Sequence, residues 1–399
     1  MVAKLNPDEL IAAAAKGART LAPSAALDPL DPTLEPSAVD PLLVEALEVA
    51  TSSLNTEAAL NDLGVATMSR ILRRSVTQRL LVDSLHHNVV EIAAVTPTVV
   101  NICGLPRTGT TALHFLFAQD PNIRVPRAWE ATQPVPAPDR ALPADPRIAR
   151  TEQVFAAIDE YMPEFAAMHV QTADGPVETL DLLMLSLRTH NLTGLARVPS
   201  YLEWFHTTDR RPAYEAVRRA LQVLQWKWPP STWVIKSPSC TSMLDSIEAA
   251  LPGTRHIWCH RDPAAAIPSV CSLIEHSRAP NTDTVDCLDL GAEVLDYFDD
   301  ALTRAMAFRD AVGDDRFVDL TMDEFVADPV RATQRAGAAA GLPLSETGRD
   351  AMTYWVGHQK RPARGHRYTA ARYGLDANHI RTRLAPYLER FPVRLEDPQ

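Results

Sequence analysis

The stretch 98–117, "TVVNICGLPRTGTTALHFLF", passes from an apolar run through a small turn into an amphipathic segment, the outline of a strand, an anion-binding loop and a helix. Gly104 and Gly109 permit tight turns, and a helix predicted from about Thr110 opens with N–H groups that no preceding turn can use. Those groups and the helix dipole favour an anion at that end. Arg107 adds a planar fork suited to oxyanions, and Thr108, Thr110 and Thr111 add hydroxyl donors. The pattern departs from GxxxxGK[ST], because Thr110 stands where a nucleoside triphosphatase has lysine. Without the cation that reaches the β- and γ-phosphates, the loop suits a lesser anion such as a phosphosulfate. The competing reading, a plain helix cap after a buried strand, needs fewer of these residues.

A second basic site follows in "CHRDPAAAIPS" (259–269). Arg261 is expected at the carboxyl end of a strand, where ligands of parallel sheets bind, with Asp262 as helix cap and Pro263 in the first turn. Ser269 stands eight residues beyond Arg261, and Pro268 is expected to disturb the helix between them. The pair suits a second phosphate; a capping aspartate beside a solvated arginine is the alternative. Lys236 closes "TWVIK" and is placed to stabilise a leaving oxygen, although a lysine at a strand end is often only solvated. Glu130, 23 residues after Arg107, is the first candidate for a general base, against a capping role. His169, in "AAMHVQTADG", is the second, against a structural one. Neither HExxH nor a compact set of carboxylates occurs, so no metal is expected.

Taken in order, these segments resemble the PAPS-dependent sulfotransferases, above all the bacterial branch whose loop reads LPRSGTT; here residues 105–111 read "LPRTGTT". The resemblance implies that Arg107, Thr108, Gly109, Thr110 and Thr111 hold the 5′-phosphosulfate of PAPS, and that Arg261 and Ser269 hold the 3′-phosphate, leaving PAP as product. "QDPNIRVPRAWE" (119–130), "WVIKSPS" (233–239) and "GHRYTAARYGLD" (365–376) are similar to further family segments, and the likeness runs from roughly residue 55 to 392. His366 and Arg364 fall in the last of these, as possible nucleotide contacts. Cys240 departs from the pattern, which has histidine there. The implied reaction moves a sulfuryl group to a hydroxyl of a small or lipophilic acceptor. A small-molecule kinase with a degenerate loop and a non-catalytic PAP-binding regulator are the other readings.

The elements that must position these groups are short apolar strands at 98–103, 232–236, 255–260 and 316–320, rich in β-branched and aromatic residues. None alternates cleanly, as expected of parallel strands covered on both faces. Helical patterns between them predict an α/β, three-layer P-loop-like core with a central parallel sheet. An arm over 1–54, with a helix at 8–17 and five prolines in 22–42, precedes a main domain over 55–399. Helices are expected over 43–92, broken at Gly64, and in an insertion over about 147–228, with "VETLDLLMLSLRTHNL" the clearest; 121–146, with seven prolines, reads as irregular. A net charge of −11 argues against nucleic acid as partner, so basic sites must be local. Five cysteines without a CxxC pair read as reduced core thiols, and "MVAKLNPDEL" has no apolar leader core. No run approaches the ~20 apolar residues of a membrane span. A soluble, cytoplasmic protein is expected.

Overall fold

A computed structural model describes residues 4–139, 144–168, 171–229, 231–358, 369–391 and 393–396. At its centre is a parallel sheet of β1 (Thr98–Gly104), β2 (Ile123–Arg124), β3 (Thr232–Lys236), β4 (Arg255–His260) and β5 (Phe317–Thr321), in the order β2-β3-β1-β4-β5. The expected α/β core is therefore present. Four strands lie where the sequence places them within a residue. The short edge strand β2 arises inside the stretch read as irregular, because Ile123 and Arg124 find the backbone of Thr232 and Trp233.

The missing alternation has a direct cause. Val99 and Cys103 of β1, Trp233 and Ile235 of β3, and Trp258 of β4 pack into one hydrophobic cluster. Val100, Ile102, Val234, Ile257 and Cys259 pack into a second on the opposite face. Each of these three strands thus contributes apolar residues to both faces, and a helix layer covers each face. Leu113 and Phe117 of the helix Thr110–Phe117 belong to the second cluster, while Val217 and Leu221 of the helix Arg211–Gln225 belong to the first.

Around this core the helices depart from the sequence reading in four places. The N-terminal helix runs Pro7–Leu21, capped by the Asn6 side chain, and the proline-rich stretch folds into short 3₁₀ turns. Its Ala14 carbonyl accepts from Thr77 at 3.2 Å, and Leu5 exchanges hydrogen bonds with Asn55, so the arm shares the first hydrophobic cluster. Gly64 does not break a helix: it lies in the first turn of Asp62–Asn88, where a Cβ would stand 2.1 Å from the carbonyl oxygen of Asn281. Its bareness serves a close backbone approach.

"VETLDLLMLSLRTHNL" is not one helix: it holds the turn Leu180–Leu183, and its last two residues open the short helix Asn191–Leu195. The Ser186 hydroxyl donates to Leu183 O and accepts from Arg188 N–H, a local alternative to helical bonding, and Leu187 takes φ 52°. Leu182 to Leu187 are buried throughout, so the run lacks the solvent face of an amphipathic helix. Pro268, by contrast, is accommodated inside a continuous helix Pro263–Arg278. Only the Ala264 carbonyl loses a helical donor there.

Candidate functional site

Register brings the sequence candidates together. β1 lies between β3 and β4, with Ile102 opposite Lys236 and Gly104 opposite Cys259. The loop after β1, the residue that ends β3 and the residue that follows β4 therefore share one rim, at the carboxyl ends of three adjacent strands.

The loop is held tightly. Gly104 has φ 119°, and a Cβ there would stand 2.3 Å from the Cys259 carbonyl oxygen, so only glycine lets β1 and β4 meet at this point. Thr241 clamps the same residue, accepting from Gly104 N–H at 3.0 Å and lying 2.8 Å from its carbonyl oxygen. No sequence signal had singled out Thr241. Arg107 takes φ 65°, a left-handed conformation that disfavours a side chain, and is exposed; its guanidinium donates to the Met168 carbonyl at 3.2 Å.

Gly109, at φ 82°, turns the chain into the helix Thr110–Phe117, and no side chain caps that helix. Its first-turn N–H groups have no intrahelical acceptor. The threonines divide their work. Thr108 and Thr110 are buried, and Thr108 donates to Leu105 O at 2.7 Å, which closes the loop on itself. Thr111 faces Lys236, with its hydroxyl 3.3 Å from Nζ.

Lys236 is buried, yet its ammonium is paired with Glu178 at 2.6 Å. Glu178 was missed by the sequence reading because it lay inside the supposed helix. Arg261 emerges beyond β4 as expected. Its Nε and Nη2 donate to the two carboxylate oxygens of Glu396, at 2.6 and 2.8 Å, and its Nη1 donates to the Arg107 carbonyl at 2.8 Å. The fork thus holds a two-oxygen anion and also ties the two basic sites together. Asp262 caps its helix through Ala264 N–H, and Ser269 is buried on that helix.

Glu130 lies in the interior. It is 1% exposed and ion-paired with Arg124 at 2.6 Å, and it accepts from Arg127 N–H at 3.3 Å. Arg124 is itself stacked against Trp228 and Trp233, 4.4 and 4.5 Å from the ring centres. Burial raises the Glu130 carboxyl above its usual range, while Arg124 pulls it back. The carboxylate is engaged in an interior ion pair. Cys240 is buried, and burial pushes its thiol up to about 12, which leaves it as core packing. His169, Arg364 and His366 lie outside the described residues.

An anion-binding rim with a lysine–glutamate pair beside it can bind a doubly anionic ligand and assist displacement at one of its ends. Among known families, the model described as "Sulfotransferase family" matches residues 97–346. None of the curated proteins matches the sequence. Among solved structures, sulfotransferase STF1 from Mycobacterium tuberculosis H37Rv is 28% identical, with a TM-score of 0.80 over 96% of this chain and 99% of that one. Sulfotransferase STF9 from Mycobacterium avium is 25% identical, with a TM-score of 0.82 over 95% and 96%.

Proposed function

The chain belongs to the sulfotransferase family, and on that premise we propose that it takes the sulfuryl group from PAPS and passes it to a hydroxyl of a small or lipophilic acceptor. The observation that carries this reading is the convergence on adjacent strands of an uncapped helix start after β1, Lys236 at the end of β3 and Arg261 beyond β4. The residues fit the donor. The open N–H groups and Arg107 suit its 5′ end, and the Arg261 fork, which already holds a carboxylate, suits the 3′-phosphate with Ser269 nearby in sequence. When bound, PAPS supplies a sulfuryl group activated by its linkage to phosphate. The chain's own part is to hold that end still and to present the Lys236 ammonium where negative charge develops. Apolar walls from Phe115, Ala128, Pro176 and Val177 support a lipophilic acceptor.

Calorimetry with PAP and ADP tests the donor. PAP should bind ten- to a hundredfold more tightly, the equivalent of ~1.5–3 kcal/mol for charge-assisted contacts, and Arg261→Ala should remove most of that margin while leaving ADP nearly unchanged. Equal affinities would remove the two-site reading. Incubation with ³⁵S-labelled PAPS and a lipid extract, followed by identification of labelled products, tests transfer. PAP binding without labelled product would instead favour a regulator, and transfer of phosphate from ATP a kinase.

A further inference from the structure

The Arg261 fork is filled from within the chain. Its Nε and Nη2 donate to the two carboxylate oxygens of Glu396, and further contacts fix the Glu396 backbone. Glu396 N–H donates to Asp262 Oδ2 at 2.8 Å, and Arg381 donates to the Glu396 carbonyl at 2.6 Å. Asp262 is fully buried and caps the helix Pro263–Arg278, so the post to which Glu396 is tied does not shift. The N–H, carbonyl and carboxylate of Glu396 are thus all engaged where the helix after Arg261 begins.

The same contact is open to exchange. Phe391 is buried, its ring centre 4.3 Å from that of His260 and 5.0 Å from that of Trp258, and it anchors the chain to the core. Beyond it Val393 is half-buried, while Arg394 and Leu395 are exposed. Residues 393–396 therefore bury little apolar surface. Among the described residues, the polar contacts of Glu396 hold them, with an open ion pair of Arg394 and Asp323 at 4.0 Å. The Arg261–Glu396 pair is itself partly open to water, which screens it and hydrates both ions when they part.

A carboxylate and a phosphate ester offer a guanidinium the same face, two oxygens for two parallel N–H bonds. The ester of a single hydroxyl carries about −1.5 to −2 charge at pH 7 and a third oxygen, so it wins the fork in direct competition. We propose that the segment 393–396 is an internal competitor for the donor site, a strap whose Glu396 carboxylate holds the Arg261 fork and is displaced by the 3′-phosphate of PAPS or PAP. The proposal rests on the donor reading above. The strap swings out from its anchor at Phe391, and the hydrophobic clusters stay as they are. A nucleotide without a 3′-phosphate brings nothing to put in the place of Glu396, so the strap stays down and the fork adds nothing to its binding.

Arg394 makes the position of the strap readable, because a protease cuts a segment that can leave the fold faster than one held to it. Limited trypsin digestion, read by mass spectrometry, is run on wild type and Glu396→Ala, each alone, with PAP and with ADP, beside calorimetry with both nucleotides. In the wild type PAP should speed cleavage after Arg394 about tenfold, and ADP should not. Glu396→Ala should be cut without ligand at the rate of the wild type with PAP. It should also bind PAP about tenfold more tightly, with ADP unchanged. The wild-type comparison carries the test by itself if the variant is unstable. A wild type that prefers PAP to ADP but is cut after Arg394 equally fast with and without PAP overturns the proposal. So does protection of Arg394 by PAP, or a folded Glu396→Ala that binds PAP more weakly, which would make Glu396 part of the framework of the site. A wild type that binds PAP no better than ADP removes the donor reading itself, and calorimetry alone shows that result.

Discussion

Two glutamates divide the work that residue types alone could not assign. Glu130 stands at a plausible spacing from the loop, but spacing does not say which way a side chain turns, and the short helix Ala128–Thr132 turns it inward to Arg124. Removing one member of a buried pair leaves the other charged and uncompensated. Glu130→Gln should therefore cost about 3–5 kcal/mol of stability. Urea unfolding reads this loss, and PAP affinity measured on the fraction that remains folded should be near wild type. An unchanged unfolding midpoint with turnover reduced by a hundredfold would instead place Glu130 in the chemistry. The loop residues were legible in the sequence because each carries its reason locally: glycine for positive φ, threonine for a hydroxyl, arginine for a fork. Glu178 was not legible, because its role depends on a lysine 58 residues away.

At the scale of elements, the end of the chain bears on the second basic site. Residues 393–396 return to β4, where Glu396 N–H donates to Asp262 and Arg381 bridges Asp262 and the Glu396 carbonyl. The Glu396 carboxylate occupies the Arg261 fork proposed above for the 3′-phosphate. On that proposal PAP displaces a carboxylate, and Glu396→Gln should tighten PAP about tenfold while changing ADP little. Calorimetry decides this, and a weaker PAP complex in the variant would mean that Glu396 helps hold the donor site together. The strands were legible from composition, since burial on both faces leaves a continuous apolar run of β-branched and aromatic residues. The helical reading of 177–192 failed for the same reason: burial all round makes a run apolar whatever its conformation, and Ser186 then tips the backbone into turns.

Over the whole molecule, the core holds histidines that the folded state keeps neutral. Burial lowers His114, His190 and His256 each to about 3. The unfolded chain takes up protons at these sites below pH ~6.5 and the folded chain does not, so their stability contribution is complete above that value and is lost as pH falls through it. Each accounts for about 1.4 kcal/mol per pH unit below ~6.5. Asp181, raised by burial to about 6, acts in the opposite sense, since the folded state holds its proton more strongly between the unfolded carboxyl range and pH 6. The three histidines outweigh it, and urea unfolding should give lower stability at pH 5.5 than at pH 7.5; equal values would show that these rings can ionise in place. The sequence by itself determined the four long strands and the family, and singled out the loop after β1 and Arg261, because each is written in contiguous residues whose local geometry is nearly forced. Only the tertiary structure decided which carboxylate meets Lys236, which one pairs with Arg124, and that Glu396 reaches Arg261. Those are contacts between distant segments, set by strand register and by which face each element buries, and no local spacing encodes them.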